Sequence, residues 1–193
     1  MESLNKANAE KLLWDCSGQT FVGCKVTQYW VDLALWEVFL NRCPDIASII
    51  ELGTEQCGLS LFLALQSYQR GMEFRTFDHK RSDNLDTPLA RHLGLEARFV
   101  LGNLFGEAGQ KLVKLLHGGL PRPILLFCDD GDKPREFREF VPHLLPGGYV
   151  GVHDWGTEIG QAHVDIFGDS LEPLWWDEWE KAGSITRFMK VIA

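Results

Sequence analysis

Short apolar runs alternate with amphipathic stretches along the chain, and the period of the pattern switches between that of a strand and that of a helix. Ser48–Leu52, Glu73–Phe77, Ala97–Leu101, Ile124–Cys128 and Tyr149–Val152 are bounded apolar segments, and each predicts a strand. Ile124–Cys128 is apolar throughout, the pattern of a central parallel strand covered on both faces. Between these runs, Leu59–Tyr68, Thr87–Leu93, Gly106–His117 and Pro134–Leu145 predict helices. Gly71 closes the first of them, and Pro134 suits a first helical position. Upstream, Thr27–Arg42 predicts a helix whose broad apolar face carries Trp30, Leu33, Leu35, Trp36, Phe39 and Leu40, stopped by Pro44. Met1–Asp15 predicts a short amphipathic helix and Ser17–Lys25 a loop. At the other end, Glu172–Lys181 predicts a helix and Ile185–Ile192 a last strand.

Strands that alternate with helices predict an α/β fold: a Rossmann-like, doubly wound, mostly parallel sheet with an antiparallel last strand. One domain over 1–193 accounts for the pattern, with a helical cap over 1–45 and the sheet core over 46–193. Such sheets bind ligands beyond the carboxyl ends of their strands. Polar residues recur there: Glu51, Asp78, Asn103, Asp129 with Asp130, and His153 with Asp154.

The first core strand runs into Glu51-Leu-Gly53-Thr54-Glu-Gln-Cys-Gly58, where two glycines permit a tight turn into a helix. This strand, glycine loop and helix form a nucleotide-binding corner, although the spacing is not that of the dinucleotide fingerprint. Glu51 before the first glycine repels a pyrophosphate and suits a cationic ligand, such as one carrying an ammonium and a sulfonium. Asp78 is either a turn or cap residue or an acceptor for ribose hydroxyls. Asn103 either forms a turn with Gly102 or reads an adenine edge. Two carboxylates and an imidazole at Asp130, His153 and Asp154 can hold a divalent cation with positions open for substrate oxygens. Lys133, three residues beyond Asp130, is either a solvated surface lysine or a general base at the same oxygen.

Composition narrows the classes. The formal net charge is −8 and no basic run appears, which argues against a nucleic-acid or membrane-surface binder. No apolar run reaches transmembrane length. Cys16, Cys24, Cys43, Cys57 and Cys128 form no C-x-x-C pair and read as reduced thiols of a cytoplasmic protein. Trp155, Trp175, Trp176 and Trp179 either wall a substrate pocket or, the better reading for the last three, pack in the core.

The order of Ile49-Ile-Glu-Leu-Gly-Thr54, Phe77-Asp78, Phe127-Cys-Asp-Asp-Gly-Asp-Lys133 and Gly147-Gly-Tyr-Val-Gly-Val-His-Asp154 resembles class I S-adenosylmethionine-dependent methyltransferases. It is most similar to the metal-dependent small-molecule O-methyltransferases. Thr20–Gln28 with Asp32 resembles the opening segment of the cephalosporin hydroxylase and rhamnosyl O-methyltransferase group, and Asp130-Gly-Asp-Lys133 resembles caffeoyl-CoA and catechol O-methyltransferases. The resemblance implies S-adenosylmethionine bound by Glu51, Gly53, Thr54, Gly58, Ser60, Asp78, His79, Asn103, Asp129 and Asp130. It implies a divalent cation (Mg, Mn or Zn) on Asp130, His153 and Asp154, and a catalytic set of Lys133, Asp130 and His153 with Lys133 as base. The activity implied is metal-assisted O-methylation of a small-molecule hydroxyl. Two alternatives stand beside it: a metal-independent methyltransferase with His153 as base, and a non-catalytic, cofactor-binding regulatory protein. His153 departs from the family pattern, which is usually acidic at that position. The small-molecule acceptor is the expected partner, with a homo-oligomer also allowed.

Overall fold

The computed structural model describes Leu13 and residues 18–193. The helix predicted over Met1–Asp15, Leu13 apart, and Cys16 lie outside the described residues. Where the sequence predicted a loop, a small antiparallel hairpin forms from β1 (Thr20–Phe21) and β2 (Cys24–Lys25). Helix α1 (Trp30–Arg42) follows. The Asp32 carboxylate reaches back to accept the Tyr29 backbone N–H at 3.2 Å, which satisfies a donor left free at the helix start.

The main sheet comprises β3 (Ser48–Leu52), β4 (Glu73–Asp78), β5 (Phe99–Leu101), β6 (Ile124–Cys128), β7 (Tyr149–Val152), β8 (Leu171–Leu174) and β9 (Arg187–Val191). Its order is β5-β4-β3-β6-β7-β9-β8. The first five strands in that order run parallel. β9 is antiparallel to both β7 and β8. The chain steps outward from β3 to β4 on one side and to β6 on the other, so the crevice of a doubly wound sheet opens between β3 and β6.

The helices that matter for the crevice are α2 (Gly58–Arg70), directly after β3, and α3 (Lys133–Phe140), directly after β6. The helix predicted to reach Leu145 gives way to a 3₁₀ turn at Val141–His143, because Pro142 brings no N–H to continue the ladder. The helix predicted over Glu172–Lys181 is also corrected. Residues 171–174 pair with β9 as an edge strand, where Pro173 is tolerated, and the helix (Trp176–Lys181, α4) starts only after Trp175.

Two apolar layers cover the sheet. On one face, α1 places Trp36 against Phe127 and Phe188, each with ring centroids 4.8 Å away, and Phe39 stacks on Phe188 at 3.8 Å. Full burial of such rings contributes about 1.5–3 kcal/mol each. This packing fixes the start of α1 above the ends of β6 and β7. No described helix is long and apolar enough to cross a membrane.

Candidate functional site

The crevice is built by two glycines that no other residue can replace without movement. Gly53 has φ +100°, and a Cβ there would lie 2.5 Å from the carbonyl oxygen of Asp129. At Gly58 a Cβ would lie 2.2 Å from the carbonyl oxygen of Lys25. The end of β3 therefore closes on the loop after β6, and the β2 backbone closes on the first turn of α2. The loop between the glycines is tight, with Glu55 and Cys57 both at positive φ. Cys57 itself is buried, and burial pushes its thiol up to about 12, so it is inert.

A cleft of about 380 Å³ results. Of the residues predicted from sequence, Gly53, Thr54, Gly58, Asp78, His79, Asp129, Asp130, Lys133, His153 and Asp154 line it together. Past Asp78 and His79 it opens into a second recess of about 460 Å³, bordered by Lys80 to Asn84. Asp78 holds the junction. Its Oδ2 accepts the Glu55 N–H at 2.8 Å and its Oδ1 the Lys80 N–H at 2.9 Å. His79 Nδ1 lies 3.1 Å from Oδ1.

At the other end of the cleft, carboxylates and cations interlock. Asp129 Oδ2 accepts a hydrogen bond from Gln28 Nε2 at 2.6 Å. Its Oδ1 lies 3.2 Å from His153 Nδ1 and 3.7 Å from Lys133 Nζ. Asp154 Oδ2 lies 2.8 Å from Lys133 Nζ and 3.4 Å from His153 Nδ1. Lys133 Nζ also donates to Glu158 Oε2 at 3.0 Å and to the Asp130 carbonyl at 3.2 Å. Beneath them, buried Asp32 faces His153 Nε2 at 3.9 Å and accepts the Ser184 hydroxyl. Asp154 has φ +58°, and the Thr157 and Glu158 N–H groups donate to its carbonyl, a turn that brings Glu158 to Lys133.

The charge states follow from this geometry. Burial alone would lower the His153 pKa, but Asp129 and Asp154 outweigh it and push it up to about 10. Burial would likewise lower Lys133, but Asp129, Asp154 and Glu158 outweigh it and hold the ammonium above the ordinary lysine range. The hydrogen bond from His153 leads the effects that hold the Asp154 carboxyl well below the usual range. The cationic form is therefore favoured at both residues read from sequence as candidate bases, Lys133 and His153. That runs against the expectation of a neutral amine or imidazole.

Three further expectations are corrected. Glu51 is fully buried behind the cleft wall. There its Oε2 accepts the hydroxyl of Ser60, so neither residue reaches the cleft. Burial pushes the Glu51 carboxyl up to about 8, which leaves it neutral rather than a partner for a cation. Asn103 is exposed, and its Oδ1 accepts the Phe105 N–H at 2.8 Å as a turn residue, away from the cleft. Asp130 lines the cleft but does not join His153 and Asp154; Asp129 does. Successive residues of an extended segment point to opposite sides, so a shift of one position changes which carboxylate faces the imidazole. None of the four tryptophans lines the cleft. Trp176 and Trp179 donate to the Phe188 and Leu174 carbonyls, and Trp155 packs on Trp176 at 4.7 Å.

Residues that sequence reading assigned no specific role complete the site. Gln28 and Asp32 sit four apart across the start of α1 and reach β6 and β7 from above. Glu136, fully buried, accepts the N–H groups of Asp130 and Asp132 at 3.3 and 3.2 Å and so fixes the loop after β6. Its signal was a glutamate flanked by the inward-facing Phe137 and Phe140. Glu158 carried none.

Asp129, His153 and Asp154 offer ligand atoms within 4.8 Å of one another, a spacing open to a divalent cation. As arranged, however, they do not fit one. His153 Nδ1 is turned on both carboxylates and Lys133 Nζ already sits on Asp154, so the lone pairs an ion would use are engaged by hydrogen-bond donors.

No protein-family model matches the sequence, and no curated protein sequence matches it. Solved structures do match the fold. CmcI-N160 in its apo form superposes with a TM-score of 0.70 at 13% identity, covering 100% of this chain and 86% of that one. CmcI-N160 with SAH gives 0.64 at 15% identity, over 98% and 93%. The O-methyltransferase TomG from Streptomyces achromogenes, involved in tomaymycin synthesis and in complex with SAM, gives 0.51 at 17% identity, over 84% and 80%. The chain shares the Rossmann-like fold of these structures.

Proposed function

We propose that this protein is an S-adenosylmethionine-dependent methyltransferase that acts on a hydroxyl oxygen of a small molecule. The observation that carries the reading is the cleft itself. It lies at the switch point of the sheet, in a fold shared with proteins solved with SAM or SAH, and it runs from a ribose-type acid to a charged end. Gly53, Thr54 and Gly58 would present backbone to the cofactor. Asp78 Oδ2 accepts one backbone N–H and keeps a lone pair for a ribose hydroxyl, while Oδ1 accepts the Lys80 N–H and also faces His79 Nδ1. The recess beyond it would take the adenine. With Glu51 withdrawn, Asp130 would be the carboxylate for the cofactor's ammonium group. The stretch 1–193 would act as one domain, its cap bringing Gln28 and Lys25 to the cleft.

In the transfer, the acceptor hydroxyl would lie against the Lys133–His153 end. The two cations would favour loss of its proton to solvent and stabilise the developing oxygen anion. The oxygen then attacks the methyl carbon in line, the carbon–sulfur bond breaks, and its electron pair stays on sulfur to give the neutral thioether.

Calorimetry with S-adenosylhomocysteine is expected to show one site in the wild type. Gly53→Val should abolish it, since the new side chain meets the Asp129 carbonyl and forces a strained φ. Asp78→Asn should weaken binding by roughly tenfold or more, because hydrogen bonds to a charged acceptor are worth about 1.5–3 kcal/mol. A wild type that takes up neither SAM nor its demethylated product would remove the methyltransferase reading. Cofactor binding with no methyl transfer to any of a panel of hydroxylated acceptors would favour the regulatory reading.

The ligand-atom spacing of Asp129, His153 and Asp154 favours a second reading with a divalent cation held there. Such an ion would supply Lewis-acid polarisation of the hydroxyl. The arrangement of the donors speaks against it, and no step above depends on it.

A further inference from the structure

We infer that Lys133 is the resident cation of the acid cluster, and that its ammonium group excludes a divalent ion from Asp129, His153 and Asp154. Position carries the argument. Lys133 starts α3, and the Asp132 carboxylate caps that helix by accepting the Arg135 N–H at 3.2 Å. The lysine stem is thereby fixed, and only 5% of the residue is exposed. Its Nζ lies 2.8 Å from Asp154 Oδ2 and 3.7 Å from Asp129 Oδ1, the two oxygens that also approach His153 Nδ1.

A divalent ion bound to those atoms would stand about 2–2.6 Å from each oxygen, within the first contact shell of the ammonium nitrogen. Two full positive charges cannot share that space without a large Coulomb penalty at low dielectric. Glu158 Oε2 at 3.0 Å and the Asp130 carbonyl at 3.2 Å hold the ammonium from behind, so it has no reason to leave. Gln28 Nε2 occupies the remaining Asp129 oxygen at 2.6 Å. The two inner carboxylates are thus matched one for one by the two inner cations.

The exclusion of metal stands independently of methyl transfer. Only the role of the ammonium beside the acceptor oxygen rests on the proposed function. The test is Mn²⁺ titration of the full chain, read by loss of the free-ion electron paramagnetic resonance signal, with no cofactor or acceptor present. Wild type and Lys133→Arg should leave the ion free, whereas Lys133→Met should bind it at least tenfold more tightly. Lys133→Met combined with Asp154→Asn should lose that gain. One Mn²⁺ bound equally well by wild type and Lys133→Met would overturn the inference, and so would a folded Lys133→Met that gains nothing. Should Lys133→Met fail to fold, the wild type decides. A melting temperature unmoved by excess Mn²⁺ supports the inference, and a rise that Asp154→Asn removes overturns it. Calorimetry with S-adenosylhomocysteine in the presence of a chelator tests the methyltransferase reading separately.

Discussion

Asp129→Ala is expected to destabilise the protein by about 3–5 kcal/mol, the range for removing one partner of a buried charge pair. Its neighbour should behave differently, with Asp130→Ala changing stability by less than about 1 kcal/mol. Asp129 is the carboxylate shared by three buried groups: His153 at 3.2 Å, Lys133 at 3.7 Å and the Gln28 amide at 2.6 Å. His153 and Lys133 are each only 5% exposed, so neither recovers its lost partner from water. Gln28 would be worse placed still, since its Oε1 already has no hydrogen-bond partner. Burial, ahead of repulsion from Asp78, pushes the Asp130 carboxyl up against its hydrogen bond from the Gly131 N–H and the attraction of His79 and Lys133, so little stability rests on its charge. Asp129→Asn, which keeps the shape and loses the charge, should fall between the two. Urea unfolding of the three variants measures this order. Equal midpoints for Asp129→Ala and wild type would show that the ion cluster is not held through Asp129.

The sequence made the strands and the glycine corner legible because both are written locally. Ile124–Cys128 has no polar residue to face solvent, so it lies centrally, and Gly53 and Gly58 mark where backbone meets backbone. That a polar site would gather at the strand ends followed from topology. The partners within it did not. Whether Asp129 or Asp130 faces His153 depends on one step of an extended segment. Glu51 lies near the carboxyl end of its strand just as Asp78 does, yet it lies under α2 with Ser60 because β3 is central and covered on both faces. Gln28 and Asp32 contact residues about a hundred positions away, and only the packing of Trp36 and Phe39 on the sheet places them there. The edge strand at 171–174 was missed because an exposed strand with a proline carries no apolar alternation.

Raising the pH from about 5 to 10 is expected to destabilise this protein steadily. Glu51 dominates the first part of that window. Burial pushes its carboxyl up to about 8, and Asp129 and Asp78 push in the same direction. The sign follows directly. Below the ordinary glutamate value, folded and unfolded chains are both protonated there, and the contribution is fully present. As the pH rises further, the unfolded chain gives up its proton while the native one keeps it, at about 1.4 kcal/mol per pH unit at most. Above about 8 the native group has ionised as well, and the contribution is gone. Glu136, also pushed up to about 8 by burial and by Asp130, adds in the same sense. His153, pushed up to about 10 by Asp129 and Asp154 against its burial, extends the loss to the alkaline end. Asp154 runs oppositely, since its depressed carboxyl stabilises the fold above the ordinary aspartate range and loses that effect in acid. Glu51→Gln isolates the first component: its amide keeps an oxygen for the Ser60 hydroxyl, its N–H can reach Thr76, and it cannot ionise. Melting curves of the variant should therefore fall less steeply than wild type between pH 5 and 8. The variant should be the less stable protein, or its equal, at the acid end, and the more stable one above about pH 8. Parallel curves would mean that Glu51 is ionised in the native protein and open to the cleft, and the cofactor's ammonium group would return to it from Asp130.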